Sequence, residues 1–270
     1  MIKNNINTNS IFSMKNKTVA IFGGSGKIGV NFAHTLSLAG ANVIILDLKV
    51  RKKNKIDKKI SFIKCDVESV KQIEDSINSI IKKFKKIDVL IYNVYSKPEM
   101  YYKKFIQYDT KVWKKVIDVN LTGAYLATKY LISLKKSKNL NFIYLLSTYG
   151  LVGPDTDLYK GLSAKKNIYG GKYSLNTPAV YTTTKSALLG FSRYISTTFG
   201  KDGVRSNCLT PGGVFDNQEK KFVRKYRSKV PLGRMAKWTD YNGAILFLAS
   251  DASSYMTGSN LIVDGGWTAW

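Results

Sequence analysis

Tyr181 and Lys185 lie four residues apart in the segment Pro-Ala-Val-Tyr-Thr-Thr-Thr-Lys-Ser-Ala-Leu-Leu-Gly. Four residues is just over one helical turn, so both side chains leave the same face of a helix. An ammonium group beside a phenol favours the phenolate and lowers the pKa of the tyrosine. Such a tyrosine can exchange a proton with a carbonyl or alcohol oxygen near neutral pH. Because Tyr-x-x-x-Lys also arises by chance in a chain rich in both residues, the features upstream decide its meaning.

A glycine-rich turn near the start of the chain predicts a nucleotide site. The apolar run Thr18–Phe22 is typical of a buried strand, and Gly-Gly-Ser-Gly-Lys-Ile-Gly follows it, leading into a helical stretch that ends at Leu38. This order of strand, turn and helix places a pyrophosphate on the amides of a helix N-terminus. We expect Gly23 to allow the tight turn, Gly26 to let the phosphates approach the backbone, and Gly29 to let helix and strand pack closely.

An acidic residue ends the second predicted strand. Asp47 follows Asn42–Leu46, close to the offset of an acid that holds the ribose hydroxyls of adenosine. A carboxylate there repels a ribose 2′-phosphate, which favours NAD over NADP. Lys49 and Arg51 lie close enough in sequence to accept that phosphate, so NADP stays open as the cofactor.

The alternation of strands and helices predicts the fold class. Strands are expected at 18–22, 42–46, 60–65, 87–92, 141–146, 204–209 and 260–263, and the longest helix at 179–199. This pattern indicates an α/β protein with a three-layer, Rossmann-type, doubly wound parallel sheet of about seven strands. We expect residues 14–270 to form this single domain and residues 1–13 to be a disordered extension.

The order of these features resembles the short-chain dehydrogenase/reductases from about Lys17 to Trp270. Further stations match in the same order: Asp66 and Val67 after the third strand, Asn93 after the fourth, Asn120 in Asp-Val-Asn-Leu-Thr-Gly, Ser147 after the fifth, and Pro211-Gly212 after the sixth. The resemblance implies an enzyme that transfers a hydride between nicotinamide and a carbonyl or secondary alcohol.

The resemblance also implies a role for each site residue. Tyr181 is the general acid or base, Lys185 lowers its pKa and binds the nicotinamide ribose, Ser147 holds the substrate oxygen, and Asn120 keeps a water in a proton relay. The residues implied in cofactor binding are Gly23, Ser25, Gly26, Lys27, Ile28, Gly29, Asp47, Asp66, Val67, Asn93, Tyr181, Lys185, Pro211, Gly212 and Val214. No metal site is predicted.

The chain departs from the family's commonest pattern at several points. Phe22 precedes the first glycine, the glycine turn reads Gly-x-x-Gly-x-x-Gly, and Val-Tyr follows Asn93. The gap between Ser147 and Tyr181 is long and contains a polar insertion, residues 154–178. Because this insertion leaves the strand that carries Ser147, we expect it to lie near the substrate mouth. Residues 213–232 correspond to the family's substrate lid.

The loops and the C-terminus resemble a narrower group, the oxidoreductases of bacterial flagellin-modification and nonulosonic-acid clusters. The stretches that carry this resemblance are 147–154, 157–161, 211–214, 231–236 and 265–270. They imply a sugar or sugar-phosphate substrate in surface-glycan biosynthesis. Two alternatives stay open: a reductase of another carbonyl, such as a 3-oxoacyl substrate, and a non-enzymatic NAD- or nucleic-acid-binding protein on the same scaffold.

Composition bounds the remaining classes. The net charge of +25 comes from lysines spread through the chain, which does not favour a specific nucleic-acid partner. No apolar run approaches the ~20 residues that span a bilayer, and the N-terminus lacks a signal peptide's apolar stretch. Cys65 and Cys208 are expected to be buried thiols of a cytoplasmic protein. The family resemblance implies a homo-tetramer or homo-dimer; the apolar residues Leu188, Leu189, Phe191 and Ile195 fit either an interface or the core.

Overall fold

Seven parallel strands form one twisted sheet in the order β3-β2-β1-β4-β5-β6-β7. The structure, a computed structural model, describes residues 8–50, 56–134, 139–170 and 172–270. The strands are β1 Thr18–Phe22, β2 Asn42–Asp47, β3 Ser61–Lys64, β4 Val89–Tyr92, β5 Asn141–Leu145, β6 Arg205–Pro211 and β7 Asn260–Val263. Each lies within two residues of its predicted bounds, and the predicted doubly wound Rossmann-type fold is confirmed.

Helices cover both faces of the sheet. They are α1 Thr8–Ile11, α2 Lys27–Leu38, α3 Val70–Phe84, α4 Thr110–Ile117, α5 Gly123–Ser133, α6 Ala179–Phe199, α7 Lys220–Arg227 and α8 Asn242–Ala249. Helix α6 has the predicted bounds of the longest helix. Within the predicted lid, residues 213–232, the helical part is α7.

The sheet separates two layers of buried side chains. Alternate residues of β1 show the division: Ala20 and Phe22 pack with α3, α5 and α6, whereas Val19 and Ile21 pack with α2 and α8. This is the period of two that a strand imposes. Leu188 and Ile195 of α6 are fully or almost fully buried in the first layer, so of the two roles left open for them, they belong to the core.

The predicted N-terminal extension is only partly described. Residues 1–7 lie outside the described residues, as do Arg51 and residue 171 of the insertion. Residues 8–11 form helix α1, and Met14 follows as a fully buried residue whose amide donates to the Ala39 carbonyl at 2.9 Å. The helix at residues 8–11 differs from the disorder expected of them. The burial and the hydrogen bond of Met14 fix the chain directly after this helix.

The strand order reverses between β1 and β4. β1 pairs with β2 on one side and with β4 on the other, so the connections on the two sides run in opposite directions. Ligands of open α/β sheets bind at such a point, beyond the carboxyl ends of the strands. Many of the predicted site residues lie at or just beyond the carboxyl ends of the strands from β1 to β6, and these ends share one edge because all the strands are parallel. Asn120, Tyr181 and Lys185 instead lie on helical segments.

Candidate active site

The glycine turn after β1 has the backbone that the sequence predicts. Gly23 has a φ of +73°, a conformation that side chains oppose. A Cβ at Gly29 would lie 2.7 Å from the Gly24 Cα, so only glycine lets α2 pack so closely against the turn. A Cβ at Gly26 would instead meet only the Gly23 carbonyl oxygen, at 3.6 Å, so the space above Gly26 is open.

These features fit a dinucleotide. Gly26 is the N-cap residue of α2, directly before Lys27, and no capping side chain satisfies the first amides of the helix. An uncapped helix N-terminus below an open glycine is a favourable place for phosphate oxygens. The turn is thus compatible with the pyrophosphate position that the sequence predicts.

Asp47 is held beside this turn. Its Oδ2 accepts a hydrogen bond from the Ser25 amide at 3.0 Å, and its Oδ1 accepts one from the Leu48 amide at 2.8 Å. The acid at the end of β2 and the glycine turn are therefore fixed relative to each other before any ligand binds. Lys49 follows Asp47 by two residues and is exposed, so a basic group lies close to the same end of β2.

The ends of β3 and β4 carry three further residues predicted to bind the cofactor. Asp66 accepts the Glu68 amide on Oδ1 at 3.0 Å, and Val67 beside it is buried against α5. After β4, the Asn93 amide nitrogen Nδ2 donates to the Gly23 carbonyl at 3.0 Å. Asn93 therefore fastens the β4 end to the glycine turn, which explains an amide side chain at this position.

Asn120 lies in a π-helical turn, Asp118–Thr122, between α4 and α5. Such turns are frequently found at functional sites. Asn120 is fully buried; its Oδ1 accepts the Ser96 amide at 2.8 Å and its Nδ2 donates to Thr184 Oγ1 at 3.2 Å. Asn120 thereby connects the segment after β4 to α6, between Tyr181 and Lys185.

Tyr181 and Ser147 face each other. Burial raises the pKa of Tyr181 to about 12, and a hydrogen bond with the Ser147 hydroxyl acts in the opposite direction. Ser147 is buried at the end of β5 and also accepts the Tyr149 amide at 3.2 Å. The structure therefore joins the predicted acid–base residue to the predicted holder of the substrate oxygen.

Lys185 lies on the same helix as Tyr181, but its ammonium contacts the end of β5. Its ammonium donates to the Leu145 carbonyl at 2.5 Å, and burial lowers its pKa to about 8. The sequence predicts that Lys185 lowers the pKa of Tyr181; in the structure desolvation dominates, and the pKa of Tyr181 is raised. The spacing gives the shared face correctly but not the burial, which penalises the charged form of each residue.

The backbone after β6 is held from two sides. The Gly212 amide donates to the Val263 carbonyl, and the Gly212 carbonyl accepts the Tyr241 hydroxyl, both at 2.9 Å. Val214 forms a short parallel bridge with Ala236. Pro211, Gly212 and Val214 thus form a fixed wall at the same edge of the sheet as Ser147.

Sequence comparisons agree with this geometry. Residues 17–158 match the profile described as short chain dehydrogenase, and residues 160–268 match the one described as Enoyl-(Acyl carrier protein) reductase. The chain belongs to the short-chain dehydrogenase family. It is an NAD(P)-dependent oxidoreductase that acts on CH–OH groups.

Individual relatives span nearly the whole chain. The sorbose reductase of Candida albicans is 30% identical, with 97% of this chain and 90% of that protein covered. The NADP-dependent mannitol dehydrogenase of Alternaria alternata is 27% identical, with 95% and 94% covered. A solved short chain dehydrogenase of Leptospira borgpetersenii, with bound NAD⁺, is 30% identical over 95% of this chain and 94% of that one, with a TM-score of 0.80.

The insertion of this short-chain dehydrogenase packs against the segment predicted to be its lid, residues 213–232. Residues 154–178 form two short 3₁₀ turns, Thr156–Tyr159 and Ala164–Lys166. The Ser163 amide donates to Glu219 Oε2 at 3.0 Å, and the Lys225 ammonium donates to the Asp157 carbonyl at 2.5 Å. The insertion and the lid therefore form one continuous wall.

Two clusters of side chains meet at Tyr181. The lid cluster comprises Tyr149, Leu158, Leu162, Phe222, Tyr226, Val230, Met235 and Trp267. The tyrosine cluster comprises Tyr101, Tyr102, Val116 and Val180, with Tyr169 and Tyr173 packed against it. Neither cluster is predicted from the sequence, although the tyrosines that follow Asn93 are a visible signal. Tyr181 packs against both clusters, so they flank the predicted acid–base residue.

Across the described ranges, no cluster of three or more His, Cys, Asp and Glu side chains is arranged to hold a metal ion. None of the helices in the described part of the chain is long and apolar enough to cross a membrane. Cys65 and Cys208 are buried free thiols, as predicted.

Proposed function

We propose that the protein transfers a hydride between a nicotinamide cofactor and the carbonyl or secondary alcohol of a sugar or sugar phosphate, in the biosynthesis of a surface glycan. The observation that carries the proposal is the pairing of Tyr181 with Ser147 at the meeting point of the lid cluster and the tyrosine cluster. A proton donor between aromatic walls suits a polyhydroxylated substrate, because rings pack against its C–H faces while hydroxyls meet the polar groups.

The proposed roles of the side chains follow from their contacts. Ser147 donates a hydrogen bond to the substrate oxygen and stabilises the charge that develops on it. Tyr181 gives its proton to that oxygen in reduction and takes one in oxidation. Asn120 is fixed by its hydrogen bonds with Ser96 and Thr184. It would hold a water of the proton relay that leads to Lys185.

The proposed cofactor residues surround the reversal point of the sheet. The glycine turn and the first amides of α2 would hold the pyrophosphate, Asp47 the adenosine ribose, and Asp66 with Val67 the adenine side. Asn93, Pro211, Gly212 and Val214 would border the nicotinamide, with Tyr181 and Lys185 at its ribose. When bound, the nicotinamide supplies or accepts the hydride. We propose NAD as the preferred cofactor because of the carboxylate of Asp47.

The proposed substrate class is supported by the names of relatives and by the packing of side chains beside Tyr181. Relatives named for sorbose and mannitol act on sugars or sugar alcohols. The stretches that resemble the flagellin-modification and nonulosonic-acid oxidoreductases contribute Tyr149, Leu158, Met235 and Trp267 to the lid cluster. Because four separate stretches meet in one wall beside Tyr181, their shared resemblance concerns the surface that would select the substrate.

We also propose a cytoplasmic homo-dimer or homo-tetramer. Tyr125 of α5 and Tyr194 of α6 are 45% and 60% exposed, and Phe191 between them is only partly buried. Large apolar side chains on neighbouring helices are typical of an interface between subunits. Light scattering across a range of concentrations measures this state directly.

A turnover assay tests the proposed function. Purified enzyme is given NAD⁺ or NADP⁺ with sugar alcohols and sugar phosphates, and NADH or NADPH with keto sugars and an acetoacetyl thioester. Tyr181→Phe and Ser147→Ala are each expected to lower kcat by at least roughly a hundredfold. Ser147→Ala should leave cofactor affinity within about twofold, because Ser147 is not among the proposed cofactor residues. Turnover of the thioester alone would favour the 3-oxoacyl alternative, which the match to an acyl-carrier-protein reductase profile also supports. Salt-sensitive binding of random DNA without any turnover would favour the non-enzymatic alternative.

A further inference from the structure

A lysine after β4 lies inside a box of tyrosine rings. The Lys97 ammonium is 3.5 Å from the centroid of the Tyr169 ring, 5.0 Å from that of Tyr95 and 5.9 Å from that of Tyr102. These separations are those of cation–π contacts. Such contacts hold a long, flexible side chain in one place, so the positive charge has a defined position.

A cavity of about 170 Å³ adjoins this ammonium. Its lining includes Lys97, Met100, Tyr101, Tyr102, Tyr169 and Tyr173, and also Glu99, which is exposed. The volume is enough for a carboxylate or phosphate group with a few attached atoms. Four of these lining groups are tyrosines, which present both apolar ring faces and hydroxyl donors.

The cavity is connected to the proposed proton donor through two of its lining tyrosines. Tyr181 packs against the tyrosine cluster, to which Tyr101 and Tyr102 belong. The Ser96 amide, directly before Lys97, donates to Asn120 Oδ1 at 2.8 Å. Lys97 is therefore carried by a segment whose backbone is fixed to a proposed catalytic residue.

The walls of the cavity are themselves fixed by buried polar contacts. Gln218 is 7% exposed, and its Nε2 donates to the Tyr169 hydroxyl at 3.0 Å and to the Val214 carbonyl at 2.8 Å. Asn176 Nδ2 donates to the Tyr102 carbonyl at 2.6 Å. The lid and the insertion thus hold the rings that hold Lys97, and this degree of support is expected of a preorganised binding site.

We propose that Lys97 binds an anionic group of the substrate, a carboxylate or a phosphate, at a distance from the carbon that reacts at Tyr181. The inference rests on the proposed sugar oxidoreductase function and narrows its substrate to acidic or phosphorylated sugars. The Lys97 ammonium lines the cavity, so it would attract a negative charge on a ligand bound there. Partial burial strengthens that attraction relative to a surface lysine.

Steady-state kinetics test the proposal on matched substrates. Glucitol, gluconate and glucitol 6-phosphate are compared for wild type, Lys97→Met, Lys97→Arg and Lys104→Met. Lys104 is an exposed lysine on the same connection and serves as the control of equal charge. Lys97→Met is expected to lower kcat/KM for the anionic substrates roughly 10- to 100-fold, mainly through KM, and for glucitol by less than about twofold. Lys97→Arg should retain most of the selectivity, and Lys104→Met should behave as wild type.

Equal losses on neutral and anionic substrates would overturn the proposal, because they would indicate a structural role. The gluconate and phosphate arms show which anion is bound. Tyr169→Leu, which removes a ring of the box, should resemble Lys97→Met, whereas Tyr169→Phe keeps the ring and should preserve selectivity.

A binding measurement separates this proposal from the proposed function. Enzyme saturated with NADH is titrated calorimetrically with gluconate, glucitol 6-phosphate and inorganic phosphate. Binding to wild type that weakens in Lys97→Met and at higher salt supports the subsite even if no sugar is turned over. If no anion binds wild type more tightly than Lys97→Met, the proposal is wrong, whatever the outcome of the turnover assay.

Discussion

Lys27 in the glycine turn forms an ion pair with Asp216 in the lid segment. The same ammonium lies 5.0 Å from the centroid of the Trp238 ring. Because Lys27 is the first residue of α2, its charge stands at the helix N-terminus proposed for the pyrophosphate. A direct contact thus links the proposed phosphate site to the segment that is predicted to be the substrate lid.

This ion pair predicts opposite effects of its two partners on cofactor affinity. Lys27→Met removes a cation beside the phosphates and should weaken NADH binding roughly two- to fivefold. Asp216→Asn removes a competing anion and should tighten NADH binding by a similar factor. Calorimetry measures both, with adenosine as a ligand without phosphates that neither variant should affect. Changes of the same sign in both variants would contradict this account.

Gly26 and Gly29 provide a matched pair of substitutions in the same turn. Gly29→Ala places a Cβ 2.7 Å from the Gly24 Cα and should lower the free energy of unfolding by about 1–3 kcal/mol. Gly26→Ala meets only one atom at 3.6 Å, so stability should change little. Its methyl group would occupy the open space, and NADH affinity should fall roughly tenfold, or about 1.4 kcal/mol. Urea unfolding and NADH titration of both variants measure this; full NADH affinity in Gly26→Ala would exclude the proposed phosphate position.

Asp47 should set the cofactor preference. Asp47→Asn removes the charge and can keep the oxygen acceptor for the Ser25 amide, while the hydrogen bond from the Leu48 amide is lost. The ratio of NADPH to NADH affinity should rise at least roughly tenfold, since a carboxylate no longer opposes the 2′-phosphate. Lys49→Ala is the control of opposite sign and should weaken NADPH alone. An unchanged ratio in Asp47→Asn would place the ribose elsewhere.

The buried Lys185 should make stability depend on pH. Its pKa is lowered from 10.5 to about 8 in the folded protein, so between these values the unfolded chain binds more protons. The free energy of unfolding of wild type should therefore rise with pH across this window, by up to about 3 kcal/mol. Lys185→Met lacks this gain, so any stability advantage over wild type at pH 7 should shrink towards pH 10.

Urea unfolding of the two proteins at intervals between pH 7 and pH 10 measures the difference. The raised pKa of Tyr181 acts in the opposite direction at higher pH, but it is present in both proteins and cancels in the comparison. A difference that stays constant across the window would mean that the Lys185 pKa is not lowered by folding.

The strands and the longest helix could be predicted because their signals are local. Thr18–Phe22 is an uninterrupted apolar run before a glycine, and helix α6 begins directly after Pro178 and has the predicted bounds. Similarly, the positions of Gly23 and Gly29 between β1 and α2 already indicate a tight turn and a close contact between helix and turn. The site residues that follow strand ends come to one edge because parallel strands leave no other arrangement.

Other parts of the site depend on segments far apart in the chain. The environment of Lys185 comes from β5, forty residues away, so its spacing from Tyr181 could not reveal which oxygen it contacts. The box around Lys97 is closed by Tyr169 of the insertion, and that ring is held by Gln218 of the lid.

The sequence by itself therefore determined the sheet, the glycine turn and the shared helix of Tyr181 and Lys185, because periodicity and glycine spacing act over a few residues. Only the tertiary structure decided the direction of the Tyr181 and Lys185 pKa shifts and the position of the Lys97 charge. The physical reason is that desolvation and cation–π contacts depend on which distant side chains exclude water, and chain spacing carries no measure of that.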